Sequence, residues 1–325
     1  MYTHSGIAFF GWLQPFHNIC SMSSSLYTGL QQPLLSGHIK SLSRCISLVE
    51  NEVPGTADFL EALPASATPV IGITGPPGAG KSTLVDGLIH HWVTAGKKVG
   101  VLCVDPSSPF NLGALLGDRI RMSEWYNHPQ VFIRSLASRG SLGGLHPHIV
   151  EITDVMKAAG FDYVLVETVG VGQSEVEIAG LADCTVVVVV PEAGDEIQTM
   201  KAGLMEIADV FVVNKADRPD ADMFVKNLRQ MLAPAFMTRQ HEIAVVKTVA
   251  QQREGIDALT TAITDVLLLG ATNERRSWLL AEKAWHLIQQ QRMKNLSKAQ
   301  LKQAIAESLH SDFNLYQFVR QFVKA

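Results

Sequence analysis

Hydrophobic residues along the chain follow two rhythms. From about Leu30 to Glu52 the apolar positions Leu35, Ile39, Leu42, Ile46 and Val49 recur every three or four residues, which predicts one helix with a single buried face. Pro54 and Gly55 break that run, and a short helix over 58–63 ends at Pro64. After a small-residue linker to Pro69 the rhythm changes to short, continuously apolar runs at 70–74, 99–104, 131–134, 163–166, 185–190, 210–213 and 243–246. These runs alternate with helical stretches, and their unbroken apolar character is what a sheet covered on both faces requires. The pattern predicts an α/β fold, doubly wound around a mainly parallel sheet.

Past Gly255 the texture is all helical. Residues 256–269 read as the last helix of the α/β domain, and 274–293 carry Trp278, Trp285 and Ile288 at helical spacing on one face, as core or as a dimer seam. Ser297 and Gln300 have the spacing of a capping box that opens a further helix. A last helix, capped by Ser311 or Asp312, would align Leu315, Phe318, Val319 and Phe322. The expected organisation is an atypical extension over 1–29, an N-terminal helical segment over 30–64, the α/β domain over 69–270 and a C-terminal helical region over 274–325. The first charged residue other than histidine is Lys40, so the extension has neither the basic start of a secretory signal nor the arginines of a transit peptide. It is expected to be poorly ordered or loosely attached, with Met22 as an internal start.

Composition narrows the function classes. Lys and Arg total 27 against 31 for Asp and Glu, a formal net charge of -4, which gives no broad basic field for nucleic acid or an anionic membrane. The four cysteines, Cys20, Cys45, Cys103 and Cys184, form no CxxC pair, and a reducing cytoplasm is the expected compartment. The longest apolar run, Thr185 to Val190, is far below the roughly 18 residues of a membrane helix, so no span is expected.

The chemistry is concentrated in a few strings. Gly75-Pro76-Pro77-Gly78-Ala79-Gly80-Lys81-Ser82-Thr83 follows a predicted strand and opens a predicted helix, and it fits the P-loop pattern in full. Its glycines let backbone amides curl around phosphate oxygens, Lys81 reaches the terminal phosphates, and the Ser82 hydroxyl stands where Mg²⁺ binds. Asn214-Lys215-Ala216-Asp217 follows a later strand on the ligand-binding edge of the sheet. A carboxylate at Asp217 accepts both the N1 and N2 protons of guanine, which points to GTP over ATP. Thr248, Val249 and Ala250 stand where GTPases often carry Ser-Ala against the base, here without the Ser. Asp105, Asp118 and Glu167 flank the phosphate end and suit a hard cation such as Mg²⁺. Gly170 is placed to offer its amide to the γ-phosphate, with 169–173 as a phosphate-sensing segment.

The strings GPPGAGKST, VDPSSP, GDRIRM, ETVGVGQSE, the stretch 192–209 and NKAD together resemble the MeaB/ArgK family of P-loop GTPases over roughly Leu30 to the C-terminus. That resemblance implies a SIMIBI-class GTPase acting as a G-protein chaperone of adenosylcobalamin-dependent acyl-CoA mutases, chiefly methylmalonyl-CoA mutase. It implies a homodimer joined by the C-terminal helices, and cobalamin met only through the partner. It implies that Asp105, Asp118 and Glu167 belong to the Mg²⁺ and switch region, and that 192–201 is a third switch in which Lys201 responds to the mutase. Lys81, Glu167 and Lys201 are the expected catalytic residues. Small Ras-like GTPases have a water-orienting Gln after the DxxG glycine, whereas Val171 follows Gly170, so hydrolysis by the chain alone is expected to be slow. Two rival readings are a nickel metallochaperone GTPase, which needs His-rich or Cys-containing tracts absent here, and an ATP-dependent kinase or transport ATPase, which the NKAD string opposes. His146-Pro147-His148 and the pair His90-His91 are not expected to bind metal, since no Cys or acidic residue lies at ligand spacing in the sequence.

Overall fold

The computed structural model describes residues 20–105, 122–138, 145–168, 174–191, 202–236, 243–269, 274–293, 296–309 and 313–323. The chain divides into two compact units, Met1–Asn273 and Glu274–Ala325. In the first unit the described residues form seven strands: β1 Val70–Thr74, β2 Val99–Asp105, β3 Val131–Ala137, β4 Tyr163–Glu167, β5 Cys184–Val189, β6 Val210–Val213 and β7 Ala244–Lys247. They build one sheet in the order β3-β2-β4-β1-β5-β6-β7, and every pairing is parallel. Strand β1 is the topological switch, with β2, β3 and β4 on one side of it and β5, β6 and β7 on the other. In open parallel sheets ligands bind outside the carboxyl end of such a strand.

Alternation along each strand feeds two apolar layers. Ile71, Ile73, Val186 and Val188 face one side, where Leu84, Leu88 and Ile89 of helix Lys81–Thr94 and Leu259 and Ile263 of helix Ile256–Leu269 cover them. Val187, Val189, Phe211 and Val213 face the other, under Leu204, Phe224, Leu228 and Leu232. Gly72 is small for a packing reason, because a Cβ there would stand 2.6 Å from Ile178 of helix Ser174–Leu181. The central strands β1, β5 and β6 are buried along their whole length, which explains their unbroken apolar runs, whereas the edge strands β3 and β7 are partly exposed.

The N-terminal segment departs from the periodicity. In place of one helix from 30 to 52 there are two, α1 Cys20–Leu35 and α2 Ile39–Glu50, followed by a short α3 Thr56–Glu61. Gly37 at φ 79° ends α1: its amide donates to the Leu34 carbonyl and the His38 amide donates to the Pro33 carbonyl, the paired bonds of a Schellman stop. Leu34 is buried in place of Leu35, and Ile39 is exposed. Helix α1 also reaches ten residues into the stretch expected to be loose. Tyr27, 4% exposed, stacks on Phe59 of α3 at 4.4 Å and shares a 2.8 Å hydrogen bond with Thr56. Residues 1–19 lie outside the described residues.

The second unit holds the helices Glu274–Arg292, Lys298–Ser308 and Leu315–Val323. The capping box forms, with Gln300 donating its amide to Ser297 Oγ and accepting from the Ser297 amide. The last helix is capped by Asn314, whose Oδ1 accepts from the Tyr316 and Gln317 amides, because the helix begins later than the Ser311 or Asp312 reading assumes. Those two residues lie outside the described residues. Phe318 is buried, while Trp278, Trp285, Ile288, Leu315, Val319 and Phe322 are exposed, so the Trp278 and Trp285 stripe forms no core within its own unit. Among the described residues no helix is long and apolar enough to cross a membrane.

Candidate functional site

Strand β1 ends at Thr74 and the chain turns through Gly75–Gly80 into helix Lys81–Thr94, called α4 below. Gly75, Gly78 and Gly80 all have positive φ, 135°, 77° and 88°. At Gly75 a Cβ would run into the Val188 carbonyl on neighbouring β5, and at Gly80 into the Asn214 amide. Conformation and close approach together therefore require glycine at both positions. Lys81 is buried and folds back across the loop, its Nζ donating to the Gly75 carbonyl at 2.9 Å and the Pro76 carbonyl at 3.1 Å.

One residue further on, Ser82 Oγ donates to Glu167 Oε1 at 2.6 Å. Glu167 is the last residue of β4 and pairs in register with Ile73 of β1, which brings the carboxylate beside the P-loop helix. Both side chains are buried. Asp105 is the last residue of β2, two positions beyond the Cys103–Glu167 pairing, so its backbone ends on the same sheet edge. Next to Glu167, Thr168 donates its hydroxyl to Thr74 Oγ1 at 2.8 Å and its amide to the Ile73 carbonyl, locking the exit of β4 to that of β1. A hydroxyl and a carboxylate oxygen brought together beside the P-loop are the hard oxygen donors that Mg²⁺ prefers. The Ser82 and Glu167 donors therefore fit that cation.

The other end of the site is built by Asn214, just past β6. Its Nδ2 donates to the Ala79 carbonyl of the P-loop at 2.8 Å. Its Oδ1 accepts from Thr248 Oγ1 and from the Ala250 amide, each at 3.1 Å. One buried amide thus ties three loops together. Lys215 takes a left-handed backbone at φ 57° and donates from Nζ to the Gly78 carbonyl at 2.9 Å. The Ala216 amide donates to the Thr248 carbonyl, fixing the NKAD turn against the loop after β7. Asp217 lines a cleft of about 490 Å³ together with Gly80, Thr83, Lys215, Val249 and Ala250.

The fold brings residues 75–83, Glu167, Asn214, Lys215, Asp217 and 248–250 to one edge of the sheet, over more than 170 residues of sequence. Asp118, Gly170, Lys201 and the segments 169–173 and 192–201 lie outside the described residues. The sequence reading missed Asp86, Arg218, Gln251 and Gln252, which also line the cleft. Asp86 had a findable signal, because it follows Ser82 by four positions and so shares its face of α4. The histidines gain acidic neighbours, of which only Glu151, three residues after His148, is visible in the sequence spacing. Glu52 lies 2.8 Å from His148 Nε2, Glu151 3.6 Å from its Nδ1, and Glu50 4.0 Å from His146. Glu50 also pairs with Arg134 of β3, so these contacts fasten α2 to the domain.

A family model described as methylmalonyl Co-A mutase-associated GTPase MeaB matches residues 42–303. GTPase ArgK of Escherichia coli is 38% identical over 243 residues, which span 71% of this chain and 73% of that protein. The fused isobutyryl-CoA mutase of Geobacillus kaustophilus is 36% identical over 251 residues, spanning 72% of this chain but 23% of that longer protein. Among solved structures, that of a LAO/AO transport system kinase superposes with a TM-score of 0.64 at 27% identity, covering 93% of this chain and 98% of that one.

Proposed function

The chain belongs to the MeaB family of methylmalonyl-CoA mutase-associated GTPases, and from that membership we propose a GTP-hydrolysing switch that serves an adenosylcobalamin-dependent acyl-CoA mutase. The observation that carries the nucleotide part is the Asn214 hub, which joins the P-loop to the loop after β7 through hydrogen bonds of 2.8 and 3.1 Å. A ligand with phosphates at one end and a base at the other meets both ends on one rigid frame. The partner part is supported by the Geobacillus relative, a protein named as a fused mutase that contains a stretch similar to this chain.

In this reading Gly75–Thr83 cradle the phosphates and Lys81 neutralises charge on the terminal ones. Ser82 and Glu167 hold Mg²⁺, with Asp105 and Asp118 completing its surroundings, and the cation offsets charge on the β- and γ-oxygens when bound. Asp217 selects guanine, with Thr248, Val249 and Ala250 beside the base, and Gly170 reads the γ-phosphate. Cobalamin chemistry belongs to the partner; this chain gates loading or protection of that cofactor. The exposed Trp278, Trp285, Leu315, Val319 and Phe322 support a homodimer joined through the C-terminal helices, in the cytoplasm.

With Val171 after Gly170, hydrolysis is slow until the mutase acts through 192–201 and brings Lys201 to the developing charge. One supplied cation of this kind is worth about 10³-fold in rate. Steady-state GTPase measured with and without a purified acyl-CoA mutase tests this. Stimulation is expected in the wild type and lost in Lys201→Ala, which keeps the basal rate. No stimulation by any mutase of the source organism counts against the partner, and competition by ATP as strong as by GTP counts for the kinase reading.

A further inference from the structure

The loop beside the base end of the cleft contains an unusual residue choice. Ala250–Gln252 form a short 3₁₀ turn, and Arg253 ends it in the left-handed region at φ 61°. Glycine is the ordinary occupant of that backbone, and a side chain there is retained where its own contacts over-determine the strain. Two residues later Gly255 is left-handed as well, and a Cβ on it would strike the Lys247 carbonyl, so the loop is folded tightly against the end of β7.

The contacts of Arg253 explain the choice. Its guanidinium donates to Glu124 Oε1 at 3.3 Å and stands 3.7 Å from Asp86 Oδ2. The other Asp86 oxygen, Oδ1, accepts from Trp125 Nε1 at 2.7 Å. Asp86 lies one turn beyond Ser82 on α4 and lines the cleft together with Val249 and Ala250. One carboxylate on the P-loop helix is therefore joined, through Arg253, to the loop whose Ala250 amide is anchored on Asn214.

We infer that Asp86 and Arg253 are positioning residues for the base end of the cleft, holding loop 249–252 in the form that accepts the nucleotide base. The inference rests on the nucleotide reading of that cleft. It separates loop positioning from fold stability, because glycine at 253 suits the backbone yet lacks the side-chain tether.

The test uses the full chain with Arg253→Gly, Asp86→Asn and the double variant. Release of fluorescently labelled GDP is followed after a chase, and thermal unfolding is measured without nucleotide. Arg253→Gly is expected to hold or raise the unfolding temperature while GDP leaves about fivefold faster, the factor for one partly exposed charge pair. Asp86→Asn keeps an acceptor for Trp125 and is expected to show the same acceleration. The double variant should be no faster than either single one, since the two side chains act as a unit. Wild-type release from Arg253→Gly, additive losses in the double variant, or a fall in unfolding temperature alongside faster release each overturns the inference. If the wild type itself fails to bind GDP, the reading of the cleft falls first and this inference falls with it.

Discussion

Glu167→Ala is expected to slow Mg²⁺-dependent GTP hydrolysis by about 100-fold or more while leaving GDP capture nearly intact. The two effects separate because different atoms serve them. On the proposed reading capture depends on the backbone amides of 75–83 and on Lys81, whose Nζ reaches the Gly75 and Pro76 carbonyls of the loop. On the proposed reading turnover depends on a cation that Ser82 Oγ and Glu167 Oε1, 2.6 Å apart, would help to hold. Ser82→Ala should fall in the same direction and raise the Mg²⁺ concentration needed for half-maximal rate. Single-turnover hydrolysis across a Mg²⁺ titration, set beside fluorescent GDP binding, checks both. Undiminished hydrolysis in both variants would remove the metal role from this pair.

The second large effect is a change of nucleotide preference in Asp217→Asn. A carboxylate facing guanine accepts from N1 and N2, and each charged hydrogen bond contributes about 1.5–3 kcal/mol. Asparagine keeps one acceptor, for the N1 proton, and turns the other into a donor that meets the guanine N2 amine, so GDP affinity should fall about 100-fold or more. Xanthine carries a carbonyl where guanine carries the N2 amine, and the new donor suits it. XDP should then bind the variant better than GDP does, a crossover readable by competition against labelled nucleotide. Equal GDP affinity in the two proteins would withdraw Asp217 from the base contact. Because Asn214 holds the loops through its own hydrogen bonds, the frame of the cleft should survive the substitution.

Much of this arrangement was legible in the chain because a parallel sheet leaves a plain trace. Strands β1 and β6 run over the residues their apolar runs predict, and the other five end within three residues of theirs. The P-loop was readable because its glycines answer to backbone demands that no other residue meets. What was illegible depended on contacts between distant segments. The 30–52 region kept a helical rhythm across a real break, since Leu42, Ile46 and Val49 stay buried on α2 whichever way α1 runs. Only the Gly37 stop divides them, and a single glycine inside a periodic run is a weak sign. Of the carboxylates around His146 and His148, Glu50 at the end of α2 and Glu52 just beyond it stand about 100 residues earlier, and no local spacing announces those two. Asp86 was half legible: its place one turn beyond Ser82 could be read, but its contact with Arg253, 167 positions downstream, could not.

The place of β1 in the sheet also has a consequence in time. Its hydrogen-bonded neighbours begin at Tyr163 and Cys184, and Val70 pairs with Val164. A ribosome adding about 5–20 residues per second needs about 5–20 s to make that distance of chain. Throughout that interval the apolar segment Val70-Ile71-Gly72-Ile73 has been synthesised and has no strand to join. Parallel pairing of this kind is also slow to form once the partners exist. The segment that later carries the phosphate loop is thus the strand with the longest wait for its first partner, and the ligand edge of the sheet can close only after that wait ends.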